Sequence, residues 1–323
     1  MDSYAPVLIP TLNRVTHFVN CISSLLECEG SRQTDLYVAL DYPSKESHWE
    51  GYNMITQFIN QIQGFKSVFV IKRESNLGAH RNFHEALAFL FQKHETVIFT
   101  EDDNVFSKDF LLYINKCLKV YKEDKNVFSI CGYNYPVKMP KSYRDEIYLW
   151  QGFSAWGVGL WRDKFLKIDW NETVVHQNVS KFFKNYYNVV KFNQIANIYI
   201  PALFYMHSER LIHTDIVVCM DQYLNKKYSI FPAKSRVRNR GNDGSGENCI
   251  SIEDDIYANQ EIYQGTSDYV ISRSLLPDNE INKVLELHFR RYWKVNLRFF
   301  LKIILMNIGI LNECRNLKNK LIA

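Results

Sequence analysis

Short apolar segments alternate with helical segments along the first 131 residues of the chain, and polar residues follow the ends of the apolar segments. Five apolar runs have the length of strands: 7–9, 36–40, 68–71, 97–100 and 127–131. The segments between them carry apolar residues at helical spacing, as in 15–26. Such alternation is typical of a mostly parallel sheet that helices cover on both faces. We therefore predict an α/β fold.

Composition and charge exclude several classes of protein. With 323 residues, 46% of them hydrophobic, the chain can bury a large core in one domain or in two closely joined domains. The net charge of +4 disfavours a nucleic-acid partner. The seven cysteines are scattered without a C-x-x-C pair, which disfavours structural zinc and indicates a reducing compartment. The sequence does not begin with the basic segment and long apolar run that are typical of an export signal. We therefore predict a cytoplasmic protein.

Four groups of polar residues lie at the predicted carboxyl ends of strands, where open α/β sheets bind ligands. They are Asn13-Arg14, Asp41, Asn76-Leu77-Gly78 and Glu101-Asp102-Asp103. Three adjacent carboxylates repel one another, so the triplet is a candidate site for Mg²⁺ or Mn²⁺ bound together with a diphosphate. The alternative is that the triplet stabilises the N-terminus of the next helix. Arg14 suits phosphate oxygens and Asp41 suits a base or ribose, which favours the ligand interpretation, although Asp41 alone could be a loop carboxylate without a ligand.

Five segments, in the same order, resemble the metal-dependent GT-A class of glycosyltransferases, in particular the N-acetylglucosaminyltransferase I family and related bacterial transferases of capsule and lipopolysaccharide sugars. They are PVLIPTLNR (6–14), NLGAHRN (76–82), VIFTEDD (97–103), DF (109–110) and GYN (132–134). The resemblance spans roughly the first half of the chain. It implies a Rossmann-like, mostly parallel sheet flanked by helices, and sugar transfer from a nucleotide-sugar donor.

The same resemblance implies roles for individual residues. Asp103 would be the direct ligand of Mn²⁺ or Mg²⁺ on the donor diphosphate, and Asp102 would face the donor ribose or sugar. Arg14 would lie near the nucleotide phosphates, Asp41 near the base, and Asn82 against the nucleotide, at a position where the family often has histidine. The other residues predicted to bind the donor are Pro10, Thr11, Asn13, Asn76, Gly78, Arg81 and Glu101.

The second half carries a looser resemblance to the bacterial members, at 156–161 and 235–249. In the latter segment the family commonly has a histidine before the cysteine, whereas Asn248 precedes Cys249 here, which puts a second metal ligand in doubt. The glycine-rich stretch 238–246 is predicted to be a loop. Trp156 and Trp161 are candidate platforms for an acceptor sugar, with burial in the core as the alternative.

An inverting sugar transfer needs a base that takes the proton of the acceptor hydroxyl. A predicted helix at 214–226 offers Asp215 and Asp221. Asp215 fits the acidic position of the family better. The alternative for Asp215 is a favourable interaction with the helix dipole in the first turn.

The C-terminal segment from Asn279 onward is predicted to be a long basic amphipathic helix. Its basic residues Arg290, Lys294, Arg298 and Lys302 recur at four-residue spacing beside apolar residues. This pattern suits peripheral binding to an anionic membrane surface without a membrane span. A solvated helix packed on the domain, or a homodimer contact, is the alternative.

Together these features predict a nucleotide-sugar-binding subdomain at 1–134, an acceptor-binding subdomain at 135–275 and the C-terminal helical segment at 276–323. The predicted function is an inverting, metal-dependent glycosyltransferase. It would use a nucleotide-diphosphate sugar, a UDP-sugar foremost, and a glycan or lipid-linked glycan acceptor in bacterial surface polysaccharide synthesis. One alternative is a catalytically silent glycan-binding or scaffold protein of the same fold. A sugar-phosphate nucleotidyltransferase is disfavoured because 10–14 contains no glycine.

Overall fold

The computed structural model describes residues 4–245, 256–290, 293–311 and 313. The chain forms two compact units. The first comprises Met1–Lys167 and Lys226–Pro277, and the second comprises Ile168–Asn225 and Asp278–Ala323. This division by packing differs from the three functional subdomains predicted from the sequence, whose assignment to donor and acceptor stays a prediction.

The first unit is built on an eight-stranded sheet with the order β3-β2-β1-β4-β8-β6-β9-β7. Its strands are β1 Val7–Thr11, β2 Asp35–Leu40, β3 Ser67–Lys72, β4 Thr96–Phe99, β6 Val127–Cys131, β7 Ile147–Trp150, β8 Val158–Trp161 and β9 Tyr228–Pro232. Strand β8 pairs antiparallel with β4 and β6, and β7 pairs antiparallel with β9. The remaining pairs are parallel. The predicted mostly parallel sheet is confirmed.

Helices follow the first strands as the sequence periodicity predicts. They are α1 Val15–Leu26, α2 Trp49–Ile59, α3 Gly78–Phe91 and α4 Phe110–Val120, with the single-turn α5 Arg162–Phe165 after β8. In α1 the fully buried side chains are Phe18, Cys21, Ile22 and Leu25, which share one face of the helix. They join a core formed with the buried residues of β1 and β2. Burial of each such side chain stabilises the fold by about 1.5–3 kcal/mol.

A small second sheet lies within the first unit and connects distant parts of the chain. Strand β5 (Asn104–Phe106) pairs antiparallel with β10 (Val237–Asn239). The prediction of a loop from Arg238 was therefore wrong for Arg238 and Asn239, because these residues pair with Val105 and Asn104. The pairing brings the segment after β10 next to the turn that follows β4.

The second unit is helical. Its helices are α6 Glu172–Lys184, α7 Tyr186–Ile195, α8 Tyr199–Ser208, α9 Thr214–Leu224, α10 Asn279–Phe289 and α11 Trp293–Asn307. Helix α9 agrees with the predicted helix within two residues at its end. The single long helix predicted from Asn279 is instead two helices, since α10 ends at Phe289 with Arg290 as its C-terminal cap. Across the described ranges, no helix is long and apolar enough to cross a membrane.

Candidate functional site

A guanidinium bridges two buried carboxylates at the carboxyl ends of β1 and β4. Arg14 precedes α1, and its Nη2 donates to Oδ1 of Asp102 and to Oδ2 of Asp103, the latter at 2.8 Å. Asp102 and Asp103 are 5% and 6% exposed. The parallel pairing of β1 with β4 explains the contact, because parallel strands place their carboxyl ends on the same edge of the sheet.

The charges of this cluster do not balance. Burial raises the pKa of Asp102, and Asp103 adds to this effect, while the Arg14 charge opposes it. Burial alone would lower the pKa of Arg14, but the two carboxylates raise it above its ordinary value, so Arg14 stays charged. Thr11 Oγ1 donates a further hydrogen bond of 2.7 Å to Asp102 Oδ2. Two carboxylates beside one guanidinium leave a surplus negative charge that a cation would neutralise.

The segment after β10 fixes the orientation of Asp103. Asn239, 2% exposed, donates from Nδ2 to Asp103 Oδ1 at 2.7 Å and to Asn104 Oδ1 at 3.0 Å. The amide N of Arg240 donates to the carbonyl O of Asp103 at 2.9 Å. A side chain at position 241 would displace this carboxylate or the segment after β10, since a Cβ on Gly241 would lie 2.2 Å from Asp103 Oδ2. Sequence reasoning missed Asn239, although its position at the start of a glycine-rich segment was a usable signal.

A second contact ties the same segment to the first turn of α1. His17 Nε2 lies 2.8 Å from Oδ2 of Asp243, and Ser245 Oγ donates to Asp243 Oδ1 at 2.6 Å. Burial would raise the pKa of Asp243, but hydrogen bonds from Ser245 and His17 outweigh it and lower the pKa to about 2. Sequence reasoning did not single out this trio. Asn248 and Cys249, which follow in the chain, lie outside the described residues.

Asp41 follows β2 and binds the N-terminus of α3. Its carboxylate accepts hydrogen bonds of 2.9 Å from the amide N atoms of Leu77 and Gly78, and one of 3.3 Å from Asn76 Nδ2. Asn76 Nδ2 also donates to the carbonyl O of Tyr42 at 2.6 Å. Gly78 has φ +74°, a conformation that favours glycine. The contacts make Asp41 a helix cap, and its predicted role at the base stays a prediction.

Asn82 is a buried residue of α3 whose side chain is hydrogen-bonded within the first unit. It is 1% exposed, and its Nδ2 donates to the carbonyl O of Ala39 at 2.9 Å. Its Oδ1 accepts from Arg73 Nε at 2.9 Å. The buried amide links α3 to β2, and the predicted nucleotide contact of Asn82 stays a prediction. Arg81 is exposed and donates from Nε to Glu85 at 2.6 Å.

The other predicted donor residues lie near the same sheet edge. Pro10 pairs with Ala39 between β1 and β2. The carbonyl O of Asn13 packs closely on α2, where a Cβ on Gly51 would approach it to 2.1 Å. Glu101 is half-buried and precedes the two aspartates. Contact of these residues with a donor stays a prediction.

The two predicted acceptor tryptophans differ in accessibility. Trp161 on β8 is 2% exposed, and Lys164 Nζ lies 3.7 Å from the centre of its ring. A ring without an exposed face cannot stack on a sugar, so the prediction for Trp161 is corrected to a core residue. Trp156 is half-buried and meets the Tyr133 ring edge to face at 4.7 Å. Its acceptor role stays a prediction.

The predicted bases lie in the second unit, on α9. Asp215 is exposed in the first turn of this helix. Asp221 is in the last turns, and its Oδ1 accepts a hydrogen bond of 2.7 Å from Asn225 Nδ2. The catalytic role of either aspartate stays a prediction.

The carboxylates of this cluster suit a divalent cation only if a phosphate-bearing ligand completes its coordination. Among the residues that the structure describes, no three His, Cys, Asp or Glu side chains come together as a metal cage. Asp102 and Asp103 nevertheless offer hard carboxylate oxygens, and both now pair with one positive group, the Arg14 guanidinium. A Mg²⁺ or Mn²⁺ ion bound by one or two carboxylates completes its coordination with phosphate oxygens and water.

Comparisons with known proteins give only distant similarities. No protein-family model matches the chain, and no curated protein matches it. The crystal structure of S. aureus TarS aligns over 51% of this chain and 29% of its own, with 17% identity and a TM-score of 0.36. The mannosyltransferase PcManGT from Pyrobaculum calidifontis, in complex with GDP-Man and Mn²⁺, aligns over 51% and 46%, with 15% identity and a TM-score of 0.34. The chain thus spans less than half of these proteins, and at such TM-scores the alignments decide nothing about its activity.

Proposed function

We propose that this chain is a glycosyltransferase that moves a sugar from a nucleotide-diphosphate sugar to an acceptor hydroxyl. The observation that carries the proposal is the bridge from Arg14 to the buried carboxylates of Asp102 and Asp103 at the carboxyl edge of a mostly parallel sheet. Such edges are where α/β sheets bind ligands. The cluster combines one guanidinium that can bind phosphate with two carboxylates that can bind a cation.

Arg14 is the phosphate-binding residue in this proposal. A guanidinium donates parallel hydrogen bonds to phosphate oxygens as readily as to carboxylates. When a diphosphate approaches, Arg14 exchanges at least one of its carboxylate contacts for phosphate oxygens. The exchange frees lone pairs of Asp102 and Asp103 for a cation, so a diphosphate and a cation bind better together than either alone.

Asp103, with Asp102 beside it, would hold the Mn²⁺ or Mg²⁺ ion. A bound divalent ion supplies neutralisation of the charge that develops on the departing nucleoside diphosphate. The chain's own contribution is orientation. Asn239 holds one oxygen of Asp103, and Gly241 leaves space next to the other. Partners of this kind keep ligating carboxylates in place and raise their affinity for metal.

The remaining parts of the proposal concern the stereochemistry of the transfer, the acceptor and the donor nucleotide. The transfer inverts the configuration of the sugar, Asp215 takes the proton of the acceptor hydroxyl, and Asp221 is the second candidate base. The acceptor is a glycan or a lipid-linked glycan of a bacterial surface polysaccharide, and the donor nucleotide is UDP. The sequence resemblance supports these assignments. Undiminished turnover in Asp215→Asn would remove Asp215 from the base role.

Nucleotide binding tests the proposal at the site itself. Isothermal titration of UDP into the wild-type chain should show binding with Mn²⁺ and weak or no binding with EDTA. Asp103→Ala should lose the Mn²⁺-dependent part, whereas Glu95→Gln, which changes an exposed carboxylate paired with Lys122, should bind like the wild type. Mn²⁺-independent binding of UDP, GDP or dTDP that survives Asp103→Ala would overturn the proposed donor site. A folded chain that binds none of the three nucleotides would favour the glycan-binding or scaffold alternative.

A further inference from the structure

Helix α11 presents an apolar stripe to solvent. Leu297, Leu301, Ile304 and the adjoining Ile308 are 57%, 54%, 42% and 60% exposed. Their spacings of four, three and four residues place them on one face of the helix. The opposite face packs within the second unit, where Ile303 is fully buried. The outer face therefore carries large apolar side chains that the described part of the second unit leaves uncovered.

The sequence that contains this stripe is basic. From 287 to 312 the sequence contains five Lys and Arg residues and no Asp or Glu. Arg298 is exposed next to Leu297. Lys302 instead faces α8, with its Nζ 5.5 Å from the centre of the buried Phe204 ring. An exposed apolar stripe in a basic helical segment is typical of helices that lie in the plane of a membrane interface.

Helix α7 meets the end of α11 and carries exposed aromatic residues. Asn307 at the end of α11 donates from Nδ2 to the carbonyl O of Phe183 at 2.9 Å and to Tyr186 Oη at 3.1 Å. Tyr186 and Tyr187 are 46% and 69% exposed. Tyrosine rings with a polar tip suit the headgroup region of a bilayer. The segment 173–208, which includes α7, contains three lysines and no Asp or Glu.

The positive charge of this segment favours an anionic bilayer over a second copy of the chain as the partner of this surface. A two-fold dimer through the stripe would place the basic segment of one copy, including the exposed Arg298, near that of the other, because such interfaces pair a patch with itself. Repulsion between these cations disfavours a second copy. An anionic bilayer offers both acyl chains for the leucines and negative headgroups for the lysines and arginines.

We propose that the outer face of α11, together with Tyr186 and Tyr187 of α7, binds the surface of an anionic lipid bilayer peripherally. Leu297, Leu301, Ile304 and Ile308 enter the boundary between headgroups and acyl chains. The exposed Arg298 binds lipid phosphates. Access to a lipid-linked acceptor would follow from this position, and that consequence rests on the proposed function, whereas the binding itself does not.

Vesicle co-sedimentation of the full chain tests the inference without donor or acceptor. The wild type should bind vesicles of phosphatidylglycerol mixed with phosphatidylcholine and not vesicles of phosphatidylcholine alone, and added salt should weaken the binding. The double variant Leu297→Ser/Leu301→Ser should bind at least about tenfold more weakly. Arg298→Gln should weaken binding to the anionic vesicles by a few-fold, on the order expected for one cation near the surface.

The chain offers a matched control for the leucine variant. Leu166 and Leu276 are 55% and 83% exposed, but they belong to the first unit. Leu166→Ser/Leu276→Ser should bind vesicles like the wild type, and thermal melting should show that both double variants fold. Equal vesicle binding by both double variants would overturn the proposal. So would a lipid-free dimer in sedimentation velocity that Leu297→Ser/Leu301→Ser converts to monomer. UDP titration in lipid-free buffer tests the donor site independently, so a variant that loses vesicle binding but still binds UDP has lost only the membrane-binding surface.

Discussion

Asn239 donates a hydrogen bond of 2.7 Å from Nδ2 to Oδ1 of Asp103, although 136 residues separate them in the sequence. Pairing of β10 with β5 makes the contact possible, because it sets Asn239 opposite Asn104. Arg14, near the start of the sequence, donates a hydrogen bond to the other oxygen of Asp103, Oδ2. Asp103 is therefore held by two segments that are distant in the chain.

Asn239→Ala should weaken cation binding without unfolding the chain. It removes the donor to Asp103 Oδ1, so the carboxylate loses one of the contacts that orient it. Loss of such a partner typically lowers metal affinity or activity by about 10–100-fold. Mn²⁺ titration by electron paramagnetic resonance in the presence of UDP measures the effect. Asn60→Ala, at an exposed asparagine after α2, is the control. Wild-type Mn²⁺ affinity in folded Asn239→Ala would show that Asn239 does not orient a metal ligand.

Gly241→Ala should damage the site more than the fold. A Cβ at this position would lie 2.2 Å from Asp103 Oδ2, so the carboxylate or the segment after β10 must move. A displacement near 1 Å can cost about 100-fold in rate when it misplaces a reacting group. Donor turnover measures the loss, and urea unfolding reports stability. Turnover equal to that of the wild type would mean that the position of Asp103 Oδ2 is unimportant.

Asp41→Ala should lower the free energy of unfolding by about 1–3 kcal/mol, since the carboxylate caps the first turn of α3 through two amide N–H groups. Asp41→Asn keeps one acceptor oxygen and should cost less. Urea unfolding of both variants checks the order of stability. Equal stability of Asp41→Ala and the wild type would contradict the capping role. A loss of UDP affinity in a fully stable Asp41→Asn would support the predicted contact with the base.

His84 should make the fold sensitive to mild acid. Burial, assisted by the neighbouring His80, lowers the pKa of His84 from 6.5 to about 3. Between these values the unfolded chain binds a proton that the folded chain does not, so stability falls as the pH drops below 6.5. His84→Phe removes the titrating group and keeps a ring beside Phe83. Its melting temperature should fall less than that of the wild type between about pH 7 and pH 5. An equal fall in the melting temperature of the wild type and His84→Phe over this pH range would contradict the role of His84.

The local parts of the fold could be predicted from the sequence. Strands β1 to β4 and β6 were found because each is a short apolar run between helical segments, and the alternation itself implies parallel pairing. The position of β8 could not be found in this way. It lies antiparallel between β4 and β6, and such pairing depends on contacts between residues far apart in the chain. The same holds for β10, whose partner β5 is a three-residue strand.

Proximity of the candidate site residues was predictable to the same extent, whereas their roles stay predictions. Position at strand ends was enough to bring Arg14, Asp102 and Asp103 to one edge of the sheet, because parallel strands share that edge. The helix-capping contacts of Asp41 and the burial of Asn82 required the three-dimensional position of α3. Burial of Trp161 likewise depends on what packs on β8, and composition does not reveal it.

Release of nucleotide from sugar donors tests the central claim most directly. The wild-type chain should hydrolyse one of a panel of UDP-, GDP- and dTDP-sugars slowly in the presence of Mn²⁺, and hydrolysis should disappear with EDTA or in Asp103→Ala. Glu95→Gln should retain it. Nucleotide release that is equal in the wild type and Asp103→Ala, or no release from any donor by the folded wild type, would contradict the assignment of Asp102 and Asp103 to a glycosyl-transfer site.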